Sequence, residues 1–394
     1  MINKGIVAII GGPPCQDFSI VRGPTQERQG LTVKRGKLYE RFIKSLLYLQ
    51  PDVFAFENVP GLMSANKGSA YKTILEDFSD LNKCLPKFKQ YREEGISNEI
   101  SGYEIVFSDI VDSSKIGVPQ KRKRLLIVGL RKNINGNGFG LSNKIKQNVE
   151  KVLGGSGNLF ERYPLTSMEV LEGLPLPDLA EEYRYIMQEY SEITNNMQTK
   201  QMRKWKEDKW SSLSFDIIKD YCNLHNIPLK HNKWIDKAFE EHADILKRLG
   251  YYKKKLDGVD FADGSNRLPN ESEAVLDRMK MIPPDENHNF VRNTKWEVEG
   301  RGMSLIYRRL HPLKPSYTVV AYGGGGTWGY HYRRNRSRLT NRERARLQTF
   351  PDWFQFSGSS AAVRAQIGEA VPVLLGEKVA DVLEMAIETS RGCH

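Results

Sequence analysis

The chain has 394 residues, 39% of them hydrophobic, with 59 Lys and Arg against 48 Asp and Glu for a formal charge of +11. That length suits two domains around substantial cores, and no apolar stretch approaches the ~18 to 20 residues of a membrane helix, so membrane insertion is not expected. The cation excess points to a polyanionic partner, because Lys and Arg that neutralise phosphates release condensed counterions.

The opening MINKGIVAIIGG runs straight into glycine and proline without a secretory cleavage pattern, which predicts a cytosolic protein. Ile6 to Ile10 reads as a short buried strand, followed by Gly11-Gly12-Pro13-Pro14-Cys15-Gln16. Lys37 to Leu49 sets Leu38, Phe42, Leu46 and Leu49 at helical spacing and stops before Pro51, which predicts an amphipathic helix. Val53 to Phe56, Tyr103 to Phe107 and Leu125 to Val128 are further apolar runs of the kind found in buried parallel strands, so the start of the chain reads as βαβ units. From about residue 140 to 310 the chain is polar, with helical patterns at Pro177 to Arg203 and Trp234 to Leu249. Order returns with a strand-like Tyr317 to Ala321, a basic run from His331 to Arg346 and a helical Val371 to Ile387. Gly323 to Gly326 follows that strand-like run, but Thr327 to Tyr330 opens no helix, so a dinucleotide loop is excluded. The expected plan is a partial α/β domain at 1–175, an inserted module at 176–356 and a return to the first domain at 357–394.

In open α/β sheets, catalytic groups gather at the carboxyl ends of strands. Here the first such end carries Cys15, and glycines and prolines around it fix the direction of the thiol. The second carries Glu57-Asn58 after an apolar strand, where a carboxylate must be paired or have a raised pKa. A strand-end salt bridge and a proton-holding acid are both open; a thiol at the neighbouring end favours a nucleophile and acid pair. Cys84, Cys222 and Cys393 read as packing cysteines, and the four cysteines lack the spacing of a disulfide framework or a metal site. Gln120, Arg122 and Arg124 alternate into a strand, which predicts a shared face binding an anionic or carbonyl-bearing group. Thr340 and Glu343 form a capping-box pattern at the head of an arginine-rich helix that Pro351 ends. Its arginines read either as a solvated face or as phosphate contacts.

Motif for motif, the chain resembles the DNA (cytosine-5)-methyltransferases: PPCQ at Pro13 to Gln16, ENV at Glu57 to Val59, QxRxR at Gln120 to Arg124, the segment Arg338 to Phe354 and QxGxxVP at Gln366 to Pro372 stand in the family's order. The resemblance implies a Rossmann-like, S-adenosylmethionine-dependent methyltransferase sheet with an inserted target-recognition domain. It also implies methylation of cytosine C5 in a specific double-stranded DNA sequence, within a prokaryotic restriction-modification setting. Cys15 adds to C6 of a flipped-out cytosine, Glu57 engages N3, Arg124 contacts the base, Arg122 lies nearer the phosphates and Asn58 supports the turn. Pro13, Pro14, Leu38, Glu369 and Ala370 fall at cofactor positions, and Gln16, Ser19, Gln120 and Arg338 at DNA positions. Ser19 to Lys37 resembles the family's mobile loop, and in the family the segment Arg338 to Phe354 organises the target-recognition module, which implies that some of its arginines are structural and only some touch phosphate.

Two departures stand out. Glu369 occupies a position where the family usually has asparagine. The glycine-rich cofactor loop and the first three strands do not precede Met1, which predicts a companion polypeptide carrying them or a truncated record, and an unpaired edge along Ile6 to Ile10. A non-catalytic DNA-binding remnant or regulatory subunit, and a tRNA cytosine-5 methyltransferase, are the competing expectations.

Overall fold

The computed structural model describes residues 7–13, 39–85, 102–132, 139–155, 157–229, 233–298, 306–322, 326–327 and 329–391. It divides into two compact units: Met1–Asp112 with Lys123–Asn158 and Gly376–His394, and Ser113–Arg122 with Leu159–Leu375. The boundaries thus fall at 158/159 and 375/376, not at the expected 175/176 and 356/357, and a short piece between two strands belongs to the second unit.

The first unit is α/β and holds a four-stranded sheet in the order β1-β2-β4-β3: β1 Ala8–Gly11, β2 Val53–Asn58, β3 Tyr103–Asp112 and β4 Lys123–Arg131. β1 and β2 are parallel, but β4 runs antiparallel to both β2 and β3. The expectation of four parallel strands is corrected. Only residues 113–122 separate β3 from β4, too few for the crossover of a dozen or more residues that a parallel pair needs. Continuous apolar runs marked strands, not their direction, and β1, expected to be buried, has no buried residue.

The sheet is covered by helices α1 Tyr39–Leu49 and α2 Ser69–Ser79. Tyr39, Phe42, Ile43, Leu46 and Leu47 form the buried stripe of α1, and the Phe42, Phe54, Phe56 and Phe78 rings pack with centroids 4.8 to 5.8 Å apart. Gly129 on β4 lies opposite Phe54. A Cβ there would come within 2.2 Å of the Phe54 ring, so glycine makes room for the aromatic cluster. Among the described residues β1 pairs with β2 alone, and its Ile10 is 61% exposed. Cys84 and Cys222 are buried packing cysteines, and burial pushes the Cys222 thiol pKa up.

The second unit is built from helices and loops; its described β pairing is limited to isolated bridges such as Gln120 with Ser316. The expected strand Tyr317 to Ala321 is absent. Side chains, not a ladder, hold this segment: Val319 N–H donates to Gln120 Oε1 at 2.8 Å and Thr318 Oγ1 donates to the Lys121 carbonyl at 2.8 Å. The helical expectation for Pro177 to Arg203 resolves into Ala180–Gln188, Ser191–Asn195 and Lys200–Asp208, followed later by Trp234–Arg248; the last helix, Val373–Arg391, belongs from Gly376 onward to the first unit. Among the described residues no helix is long and apolar enough to cross a membrane.

Two capping boxes anchor this unit, the expected Thr340–Glu343 pair and a second, Thr166–Glu169. Glu169 is buried and also accepts from His242 Nδ1 at 2.9 Å, while His242 Nε2 donates to the Tyr163 carbonyl at 3.0 Å. With both ring nitrogens facing oxygen acceptors, the geometry favours the doubly protonated imidazole. Burial pulls the His242 pKa down, but the Glu169 charge and hydrogen bond outweigh it and the net shift from 6.5 is upward. A raised folded-state pKa contributes stability that is complete below the unfolded value and lost as pH climbs through the folded one. The thermal midpoint is therefore expected to decline as pH rises above about 6.5, with a flatter profile in His242→Gln. Parallel pH profiles for the two proteins would sink this account.

Candidate active site

β1 and β2 are in parallel register, Gly11 against Phe56, so the residues that follow β1 emerge beside the end of β2. Asn58, 3% exposed, ties the two ends together: its Nδ2 donates to the Pro13 carbonyl at 3.3 Å, and its Oδ1 accepts the Val59 N–H at 2.9 Å. An asparagine side chain can close a turn on its own backbone in this way while reaching across to a neighbour.

Glu57 is the last-but-one residue of β2 and pairs with Arg124 on β4, Nε to Oε1 at 2.8 Å, both side chains less than a fifth exposed. Arg124 also donates from Nη1 to the Lys123 carbonyl at 2.8 Å, which fixes the guanidinium. A Cβ on Gly12 would stand 3.0 Å from Glu57 Oε2; glycine leaves the approach to that oxygen clear. The Glu57 carboxylate is thus paired with a cation beside Gly12. Cys15, Pro14, Gln16, Ser19 and Leu38 lie outside the described residues, as does most of the glycine run at 323–326.

Gln120 and Arg122 belong to the second unit and Arg124 to the first. Strand β4 begins only at Lys123, so the alternation that predicted a common face does not extend upstream. Within the second unit Gln120 is fully buried, donating to the Leu347 carbonyl at 3.1 Å and Gln348 Oε1 at 3.0 Å. Arg122 is 2% exposed; Nη1 donates to the Val319 carbonyl at 3.2 Å and Nη2 to those of Gly368 and Ala370 at 3.0 Å. The expected DNA contact at Gln120 and phosphate contact at Arg122 are corrected to scaffolding. Arg122 ties Val319 to Gly368 and Ala370, Gln120 ties Val319 to Leu347 and Gln348, and Gly368 is required there because a Cβ would meet the Ala321 nitrogen at 2.2 Å.

The arginine run likewise finds partners within this unit. Arg338, about a fifth exposed, pairs with Glu271 and donates to the Asn270 carbonyl at 2.6 Å. Arg333 meets Glu172, Glu182 and Asp257; Arg334 meets Glu192; Arg336 meets Asp257 and Glu343. Arg342 pairs with Asp263 at 2.7 Å, Arg346 with Asp352 at 2.5 Å, and Arg344 donates to the Val320 carbonyl. Most of these arginines are thus engaged within the second unit, with Arg342, Arg344 and Arg346 buried and the others partly exposed. A buried guanidinium is costly unless paired, and the carboxylates that pair with several of these lie far along the chain.

Two residues that sequence reasoning missed complete this scaffold. Gln348 donates to the Ile367 and Ala370 carbonyls at 2.6 and 3.2 Å. Arg309 is fully buried and donates to the Ile282 carbonyl from Nε at 2.7 Å. Neither stands in a spacing pattern that marks it. At the positions assigned to the cofactor, the Ala370 carbonyl is already bonded, while Glu369 is exposed and accepts from Tyr322 Oη at 2.5 Å. A carboxylate there suits a cationic group, such as the ammonium of S-adenosylmethionine, better than an anionic one.

Similar proteins agree on the chemistry's class. The sequence pattern of the family described as C-5 cytosine-specific DNA methylase matches residues 1–385. The DNA (cytosine-5-)-methyltransferase M.ApeKI of Aeropyrum pernix is 52% identical over 381 residues, 96% of this chain and 81% of its own. The type II methyltransferase M.BbvI of Brevibacillus brevis is 32% identical over 98% of this chain and 70% of its own. The S. pombe Dnmt2 methyltransferase structure aligns with 96% of this chain and 78% of its own at 12% identity and a TM-score of 0.42. With strand-end carboxylate, paired arginine and family pattern in one chain, the protein belongs to the C-5 cytosine-specific DNA methylases.

Proposed function

We propose that the chain methylates cytosine C5 in a specific duplex DNA sequence through a covalent adduct at C6. The observation that carries this reading is the Glu57–Arg124 pair, set beside Gly12 and Pro13 at the start of the proline turn. Cytosine C5 is a poor nucleophile. Addition of the Cys15 thiolate to C6, with Glu57 hydrogen-bonding or protonating N3, moves electron density to C5. Arg124 holds Glu57 and orients the base. S-adenosylmethionine supplies the electrophilic methyl group, with Glu369 and Pro13 at its expected positions. Loss of the C5 proton then expels the thiolate and restores the ring. Because the duplex hides C6, the base must be flipped out at a cost of a few kcal/mol.

The second unit is the proposed reader of the target sequence, and a prokaryotic cytoplasm is the proposed setting. The exposed edge of β1 supports a finer reading, in which a further strand from a companion polypeptide or additional chain completes the sheet and the cofactor pocket. A non-catalytic DNA-binding role would show duplex binding without transfer, and a tRNA enzyme would transfer to tRNA in preference to duplex.

Cys15→Ser is expected to abolish methyl transfer and covalent trapping on duplex containing 5-fluorocytosine, while leaving duplex affinity nearly unchanged. Methylation retained by this variant would overturn the proposal.

A further inference from the structure

Because most of the arginine run is engaged within the second unit, its charges do not by themselves explain an attraction for polyanions. Cations at one corner of the second unit do. The helix Trp234–Arg248 ends in Lys247 and Arg248, both exposed, and the following loop carries exposed Lys253, Lys254 and Lys255. Asp352 donates its N–H to the Leu249 carbonyl at 3.2 Å, and Tyr251 Oη donates to the Phe350 carbonyl at 2.5 Å. These bonds bring the segment Phe350 to Phe354 against the helix end. There Trp353 is 75% exposed, although Phe350, Phe354 and Phe356 beside it pack on one another with centroids 5.0 to 5.2 Å apart. The tryptophan contributes little to that cluster and leaves a large apolar surface in water.

The charges around it are unevenly matched. Lys247 meets Asp244 at 2.9 Å, and Lys255 meets Glu172 and Glu182 at 3.3 and 3.5 Å. Lys253 and Lys254 have no carboxylate within ion-pair distance among the described residues. Lys247 and Lys253 Nζ each lie 5.5 Å from the centroid of the Tyr252 ring, an arrangement that holds both ammonium groups at the surface. Aromatic rings interleaved with uncompensated lysines suit a nucleic-acid backbone, where cations meet phosphates and a ring lies on a sugar or base. A second copy of the chain is a poorer occupant, because each copy carries +11.

We propose that this corner is a duplex-binding surface, with Lys253 and Lys254 on phosphates and Trp353 against the adjoining sugar or base edge. The inference rests on the DNA-methylating function proposed above. Its test is binding of the full chain to a duplex, followed by fluorescence anisotropy across a salt series. Each phosphate contact contributes about 0.9 to the slope of log K against log salt, so the double variant Lys253→Ala, Lys254→Ala should flatten the slope by about 1.8. Trp353→Ala should weaken binding roughly tenfold with the slope kept. Binding by the wild type with unchanged slope in the double variant would overturn the surface and leave the function standing. No binding by the wild type would overturn both. A concentration-dependent dimer lost in Trp353→Ala would overturn the surface in favour of self-association.

Discussion

Glu57→Gln is expected to slow methyl transfer by about 10²- to 10⁴-fold, the usual contribution of a positioned acid or base, while the protein folds and binds duplex as before. The amide fills the volume of the carboxylate, and its carbonyl oxygen still accepts from Arg124 Nε where Oε1 does now, at 2.8 Å. What is lost is the proton and the negative charge at N3 of the base. Single-turnover transfer measured beside duplex affinity separates the two. A variant that transfers at the wild-type rate would remove Glu57 from the chemistry and leave its ion pair as a strand-end fastening. A fall in affinity matching the fall in rate would assign it to binding alone.

The second large effect lies away from that carboxylate. Arg309 is completely buried and meets no carboxylate at ion-pair distance among the described residues. Its guanidinium instead donates to main-chain carbonyls: Nε to Ile282 at 2.7 Å, Nη1 to His331 and Arg333 at 2.5 and 2.7 Å, and Nη2 to Met279 and Arg334. Burial lowers its pKa. Arg309→Met keeps much of the volume and strips the donors from five carbonyls, each costly to leave unmet in the interior. The expected loss is on the order of 3 to 5 kcal/mol of unfolding free energy, a large share of the 5 to 15 kcal/mol typical of a domain. Thermal or denaturant unfolding reads it directly. A midpoint within a degree of wild type would show that water replaces the guanidinium and that the carbonyl cage is not a fold determinant.

Local features were the most legible part of the sequence. The stripe Phe42, Leu46 predicted α1, the pattern Thr340 to Glu343 predicted a capping box that forms as read, and the apolar runs predicted all four strands. Each of these depends on residues close together in the chain. Direction and pairing were not legible, since β4 lies antiparallel between β2 and β3 for reasons of connection length. At the candidate site, Glu57, Asn58 and Pro13 come together as the strand ends implied, because adjacent parallel strands deliver their carboxyl ends side by side. Arg122 and Gln120 misled for a common reason. Charge and amide groups announce themselves in a sequence, but the partners that engage them, such as the Gly368 and Leu347 carbonyls, lie far along the chain. A basic run therefore looks alike whether it faces solvent or fills a core.

The internal pairing of that run divides the cations of this protein into two populations with different obligations. Arginines such as Arg342 and Arg346 serve geometry, and even lysine in their place would forfeit the fork that spans Asp263 or Asp352. Exposed lysines such as Lys253 and Lys254 carry no such geometric demand. Grip on a polyanion is consequently free to drift, one exposed ammonium at a time, without the architecture ever registering the change.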